Sequence, residues 1–332
     1  MAASTITDKE LLQVGIEGYV RAYLPEQLSL GQSGIVRTDL NPPFSASAQG
    51  GNSYMIKGRI YDATVDAAPV ADTAPTTTAI SSWKQNGVIV RRVKMYGNED
   101  LASIAGGEGT DEWMSDIANV IVHNKNLNVE VRMLQKLIPG VFGSTGPLYA
   151  THTVDNSGTA FDYTMLAQGM AKMGENAGAL DAIVMHSAVF WGAQVNSMLT
   201  AQPDYNSIAA FRALGVQFVG MIGNKRVFIN DRCYTTGGVY DTILAGPNAL
   251  YYADQLANSV EIFRSNKAGG TTEVLNRSAY SIAVAGVSFS GTLPTGLGGA
   301  TDAELLTGTN WSAIDGHVVS QTPMVVIKSL AS

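Results

Sequence analysis

The sequence predicts an α+β fold, with strands and helices mixed but not in the strict strand–helix–strand order of a doubly wound sheet. Three observations predict it. An apolar period close to 3.6 runs along residues 110–138. Short apolar strand-like segments are interspersed with helical ones from 161 to 245, and further strands follow to 330. Residues 51–95 hold two strand-like runs around a long connection with no helical period.

Taken in order, residues 1–50 read as an arm. Leu11–Leu24 carries a weak helical pattern that ends at Pro25. The following GQSGIVRTDLNPPFSASAQGG is polar and broken by Gly and Pro-Pro, and such a stretch seldom packs on its own. Residues 51–95 form a separate unit. Tyr54–Tyr61 reads as a strand, and SWKQNGVIVRRVKMYG as a second strand entered through Asn86-Gly87. An Ala-, Thr- and Pro-rich connection lies between them, so the unit is an extended hairpin projecting from the body. A lone hairpin is marginal in water, so something else must hold it.

In the helix over 110–138, Trp113, Ile117, Val120, Ile121, Leu127, Val131, Leu134 and Ile138 form one stripe. Thr110 is placed to cap it, Asp111 and Glu112 suit its positive start, and Arg132 and Lys136 suit its far end. Pro139-Gly140 is expected to stop it. A helix of about 40 Å with one apolar face requires a sheet beneath it.

Next come a Met-rich helix over Phe161–Met173 and a buried strand at Leu180–Met185. His186-Ser187 leads into the helix AVFWGAQVNSML, with Ser187 as cap. Residues 216–229 read as a hairpin turning at Gly223-Asn224-Lys225, Thr235–Gly238 as a flexible loop, and Val239–Ala245 as a strand. Strands are expected at Val260–Arg264, Tyr280–Ser290 and Met324–Leu330, around a Gly- and Thr-rich stretch at 291–317.

Composition narrows the function classes. The chain has 332 residues and a net charge of −7, and only 15% of its residues are charged, against about a quarter in an ordinary domain. A monomer needs a charged surface to stay dissolved, so the low charge points to surface covered by further copies of the chain. The charge is also uneven. Residues 51–95 hold six cations and three carboxylates, a net of +3 that leaves −10 for the remainder. A basic hairpin on an acidic body is either drawn to a neighbouring copy or is simply a solvated strand pair. The acidity argues against a protein that neutralises many phosphates, without excluding nucleic acid nearby. The N-terminus lacks the basic and apolar regions of a signal peptide, and apolar runs stop near ten residues where a membrane-spanning helix needs about 20. A soluble, unsecreted protein is expected.

Catalytic and metal signatures are weak. Cys233 is the one cysteine, so it forms no intramolecular disulfide. His123, His152, His186 and His317 show no metal spacing, and no phosphate-binding glycine loop or serine elbow occurs. Ser81–Lys84 matches S-x-x-K without its companion motifs, which makes chance the better account. The best enzyme candidate is Cys233 with His186 and Asp231, a Cys–His pair able to activate a thiolate. Against it, a lone cysteine is usually a small buried hydrophobe, and His186 reads as a hydrogen-bonded histidine at a strand end. Met165, Met170 and Met173 read as core. Two N-x-S sites, at Asn276 and Asn310, carry no weight without a signal peptide. No catalytic, cofactor-binding or metal residue is assigned, and no cofactor is expected.

The order of parts resembles the major capsid proteins of tailed bacteriophages (Caudoviricetes), with the Hong Kong 97-like capsid fold. LDAIVMHSAVFWGAQ is similar to a strand-to-helix passage of such coat proteins, LGVQFVGMIGNKRVFINDRC to the hairpin that follows it, and TDAELLTGTNWSAI with MVVIKSL to a C-terminal ending. The resemblance implies an N-terminal arm over 1–50, an extended loop over 51–95 lying on an adjacent subunit, and a peripheral domain over 96–144 with the spine helix 110–138. It implies a mainly axial domain over 145–270 and a return to the peripheral domain over 271–332. Candidate contacts between subunits are Lys57, Arg59, Trp83, Lys84, Arg91 and Arg92 in the loop, and Thr235, Thr236, Gly237 and Gly238 as an axial loop.

The function implied is a virion protein that self-assembles as hexamers and pentamers into an icosahedral head shell. The shell would enclose double-stranded DNA without reading its sequence, and would be assembled in the host bacterial cytoplasm with no membrane involved. A separate scaffold protein and a portal protein are implied partners, and a decoration protein is compatible. An encapsulin-like compartment shell of the same fold is the alternative, and an enzyme using Cys233 a remote one. Lysine–asparagine crosslinking, known in some members, is not carried over, because no partner asparagine is identified.

Overall fold

The computed structural model describes residues 30, 33–38, 53–59, 82–99, 110–195, 218–222, 224–265, 271–291, 299–314 and 322–331. The expected helix at Leu11–Leu24 and the connection at 62–80 lie outside them.

The first sheet has five strands: β1 (Val36–Thr38), β2 (Ser53–Arg59), β3 (Ser82–Glu99), β10 (Leu250–Ser265) and β11 (Thr271–Val284), in the order β1-β10-β11-β3-β2. The two strands of the expected hairpin are present and pair antiparallel, from Ser53 opposite Val88 to Arg59 opposite Ser82. Their root is not separate from the body. β3 continues past the hairpin, and its residues 89–99 pair with β11. Val88, Ile89 and Val90 are buried there. Asn86-Gly87 does not form an entry turn but lies inside β3. Tertiary bonds override its turn propensity: the Asn86 N–H donates to Ser288 Oγ at 2.9 Å, and Gln85 Nε2 donates to the Val287 carbonyl at 2.7 Å.

The described part of the arm packs against the body. Ser33, Ile35 and Val36 are buried, and β1 runs parallel to the start of β10. This polar stretch does not pack on its own; it extends an existing sheet. Glu130 anchors it, accepting from the Leu30 N–H at 3.1 Å.

Helix α1 (Thr110–Arg132) passes through a π-helical turn (Met133–Leu137) into α2 (Ile138–Phe142). Pro139-Gly140 therefore does not end the helix. In the wider turn the Ile138 N–H bonds the Met133 carbonyl, five residues back. That register change lets a residue without an N–H follow directly. The whole rod spans roughly 50 Å. The sheet it requires is the first one: Ile121, Val129, Met133, Leu137 and Ile138 share a core with Val90, Val274, Tyr280 and Ile282.

The second sheet is built from β4 (Thr153–Ala160), β5 (Ala182–Met185), β6 (Phe218–Ile222), β7 (Lys225–Ile229), β9 (Val239–Ala245) and β14 (Met324–Leu330). Its order is β4-β14-β9-β5-β7-β6, with the two-residue β8 (Thr235–Thr236) on β9. It is covered on both faces, which explains the unbroken apolar runs in β5 and β14. Val184, Ile243 and Val326 face the first core. Ile183, Leu244 and Ile327 face a second core under α4 (Tyr163–Met173) and α5 (Ser187–Val195). Between β4 and these elements, α3 (Tyr149–His152) is a single turn. Asp162 caps α4 by accepting from the Met165 N–H at 2.9 Å. Met165 and Met173 are buried in that core and Met170 packs against it, as core methionines should.

The strand expected over Tyr280–Ser290 is split. β11 ends at Val284, and β12 (Val287–Phe289) turns away to pair with β13 (Trp311–Ala313). Before β13, α6 (Asp302–Leu306) starts on a reciprocal capping box between Thr301 and Glu304.

Candidate assembly surfaces

Among the described residues, those singled out in the sequence share no single pocket. They fall on two surfaces, and the structure adds another, described second.

The first is the β2–β3 hairpin. The backbone register sets Lys57 opposite Lys84 and Gly58 opposite Trp83, with Arg59 at the far end opposite Ser82. The hairpin thus joins three cationic positions within three rungs. Arg91 and Arg92 lie beyond it, on the part of β3 that pairs with β11. Arg92 has a partner in its own chain: its guanidinium meets Asp302 at 2.8 Å and donates to the Ala300 carbonyl at 3.0 Å. Arg132 shares Asp302 at 2.9 Å and also donates to the Tyr280 hydroxyl at 2.7 Å. Burial alone would raise the Asp302 carboxyl, but the hydrogen bonds from Arg132 and Arg92 outweigh it and hold the group below the usual range.

The second surface was not read from the sequence. Side chains alternate along β3, and Val93 and Met95, two residues apart, share a face and are 64% and 52% exposed. Leu275 is opposite Met95, and Phe263, 44% exposed, pairs with Glu273 on the same face. An ion pair of Arg277 with Glu261 at 2.6 Å crosses this face. The alternation in R-R-V-K-M-Y was the available signal. Exposed apolar side chains grouped on one sheet face mark contact surface.

The third is Thr235–Gly238. It is not a flexible loop but a two-residue hairpin turn between β8 and β9, with Thr236 opposite Val239. Gly237 and Gly238 have φ of +61° and +83°, the left-handed pair that a type I′ turn demands. Thr235 and Thr236 are exposed. Elsewhere on the second sheet, Trp191 on α5 is exposed beside Phe190.

The enzyme candidate is only partly assembled. His186 Nδ1 and Asp231 are 3.8 Å apart. Both serve the start of α5: His186 Nδ1 accepts from the Ala188 N–H, and Asp231 accepts from the Ser187 N–H, each at 3.0 Å. The cap is therefore His186 rather than Ser187, assisted by Asp231. Cys233 is a buried member of the first core, and burial pushes its thiol far up. That is the opposite of what an attacking thiolate requires. Among the described residues no group of three His, Cys, Asp or Glu is arranged to hold a metal. No described helix is long and apolar enough to cross a membrane.

The family of Gp13-like, or major capsid protein 13-like, proteins matches residues 131–319. That is more than half of the chain, from the end of α1 to beyond β13. No curated protein matches the sequence. Among solved structures, the capsid of Ralstonia phage GP4 is similar with a TM-score of 0.56 at 9% identity, over 90% of this chain and 87% of that one. The head structure of Helicobacter pylori bacteriophage KHP40 is similar with a TM-score of 0.54 at 11% identity, over 90% and 87%. The Cyanophage Pam1 capsid asymmetric unit gives 0.54 at 9%, over 90% and 88%. At such identities these likenesses establish the Hong Kong 97-like fold and nothing finer.

Proposed function

The chain belongs to the major capsid protein 13-like family and builds a tailed-phage head shell, and from that premise we propose how its surfaces serve assembly. The family match separates this function from an encapsulin-like compartment, since that alternative shares the fold. The chain is a structural protein whose work is done by interfaces between copies.

Residues 51–95 act as an extended loop lying on an adjacent subunit. The observation that carries this is the division of β3: its second half is fixed in the body sheet, while β2 and residues 82–88 add a two-stranded ribbon. Lys57 opposite Lys84 supports the reading, because like charges directly opposed cost stability until an anion neutralises them. The remainder of the chain, at −10, supplies such anions on a neighbour. Lys57, Arg59, Trp83, Lys84 and Arg91 are the proposed contacts. An interface role for Arg92 would cost it the bond to Asp302.

Residues 1–50 act as an arm whose 36–38 portion is paired beside β10. Residues 96–144 and 271–332 form the peripheral part around α1, and 145–270 the mainly axial part. The Thr235–Gly238 turn is the axial contact where copies converge around a symmetry axis. A shell multiplies such contacts, so each one can be weak. The shell encloses double-stranded DNA, and an acidic lining would repel phosphate and keep the packed DNA from adhering. Assembly in the host cytoplasm uses a separate scaffold protein and a portal, with a decoration protein compatible.

Deleting residues 62–80 tests the loop assignment. The variant should retain the wild-type circular dichroism spectrum and thermal transition yet form no stable shells by sedimentation. Shells in normal yield would show that the loop is dispensable and the assignment wrong.

A further inference from the structure

A cleft of about 170 Å³ opens between α1 and the helix-facing side of β3 and β11. Four cations line it: Arg92 and Lys94 from β3, and Lys125 and Arg132 from α1. The amides of Asn124 and Asn276 also line it, and no carboxylate does. Two carboxylates reach these cations from outside the lining: Asp302 is shared by Arg92 and Arg132, and Asp254 holds Lys125 at 2.6 Å. Lys94 is exposed and lies over the Tyr96 ring at 5.1 Å. Asp302 thus serves two of these cations at once.

We propose that this cleft binds a carboxylate, and that in the shell its occupant is an Asp or Glu side chain of a second copy. The inference rests on the head-shell function. The exposed ammonium of Lys94 at the rim can pair with a carboxylate without demanding one geometry, and the neighbouring Arg92, Lys125 and Arg132 add positive field. The volume admits one side-chain carboxylate but neither a strand nor a helix. The occupant is a second copy because the chain outside 51–95 carries a net −10, so neighbouring copies present abundant carboxylates at the high local concentration of a shell. A duplex backbone is the poorer fit, since a chain of net charge −7 repels it.

The test replaces Lys94 in the full chain by Arg, Gln and Glu. Among the described residues Lys94 makes no ion pair within its own chain, so thermal unfolding of the free subunit should be unchanged for Lys94→Arg and Lys94→Gln. The critical concentration for shell formation should match wild type for Lys94→Arg, rise about tenfold for Lys94→Gln, the equivalent of ~1.4 kcal/mol, and rise further for Lys94→Glu. An electron cryo-microscopy map of the wild-type shell should place a neighbouring copy's carboxylate within hydrogen-bonding range of Lys94 or Arg132. Assembly of the Gln and Glu variants at the wild-type concentration would overturn the proposal. So would a cleft filled by the subunit's own chain or by a DNA phosphate. If wild type itself forms no shells while folded and with a scaffold protein supplied, the head-shell function fails instead, and the cleft's role with it.

Discussion

Asp241 and Lys328 sit opposite each other on β9 and β14, 3.2 Å apart, two rungs beyond the apolar pair Ile243 and Val326. Asp241 is buried, and that burial pushes its carboxyl up; Lys328 opposes the shift, and the charge of Asp155 adds to it. The folded carboxyl thus keeps its proton to a higher pH than the ~4 of an unfolded aspartate. Between those two values the folded state binds more protons, so stability falls as pH rises through that window and returns as pH drops. Asp155 acts in the other direction. Burial alone would raise it, but hydrogen bonds from the Tyr149 hydroxyl and Ser157 outweigh that and hold it low. Its contribution is present above pH ~4 and is lost as pH falls through its depressed value. Asp241→Asn should remove the first slope alone. Its urea midpoint relative to wild type should climb from pH 4 toward neutrality; a difference independent of pH would show that Asp241 titrates ordinarily. None of this was legible in the sequence, because VYDTILA reads as a strand whichever residue faces Asp241. Cys233 was legible as a core residue because a lone cysteine usually is one. The Arg92–Asp302 pair was not, since 210 residues separate the two and only the fold joins them.

Elements were read more faithfully than residues, because periodicity is local and pairing is not. β14 and β9 were expected at the residues where they occur, since their apolar runs are bounded by turn residues. The long helix was expected to end at Pro139-Gly140 and instead runs to Phe142. The cause is packing: α2 lies against α6, and Gly140 lets the two backbones meet. A Cβ at residue 140 would lie 2.2 Å from the Leu305 carbonyl oxygen. Gly140→Ala must therefore part α2 from α6, at a cost of about 3 kcal/mol by analogy with overpacked cores. A chemical denaturation midpoint near that of wild type would mean that the contact yields cheaply. The α6 capping box was available as T-D-A-E at 301–304, but that short helix lies in a Gly- and Thr-rich stretch without a period to draw attention to it. Asn86-Gly87 shows the converse, a strong local turn signal overruled by pairing with β2 and by Ser288.

For the whole molecule, the informative quantity is charge and its distribution. Fifteen per cent charged residues left surface to be covered, and the structure adds an exposed apolar face carrying Val93, Met95 and Phe263. The basic stretch at 51–95 divides on folding. The cationic positions 57, 59 and 84 lie in the β2–β3 ribbon, whereas Arg92 and Lys94 border the cleft beneath α1. A simple picture of one basic hairpin on an acidic body thus becomes two cationic surfaces, one on the ribbon and one against the helix. Their joint account is that copies of the chain cover one another, with the ribbon of each laid on its neighbour. Electron cryo-microscopy of the purified chain, with a scaffold protein supplied, tests this most directly. The account predicts closed megadalton shells in which residues 53–59 and 82–88 of each subunit contact the adjacent copy. A folded protein that stays a monodisperse monomer or dimer would contradict it, as would shells whose ribbons touch only their own subunit.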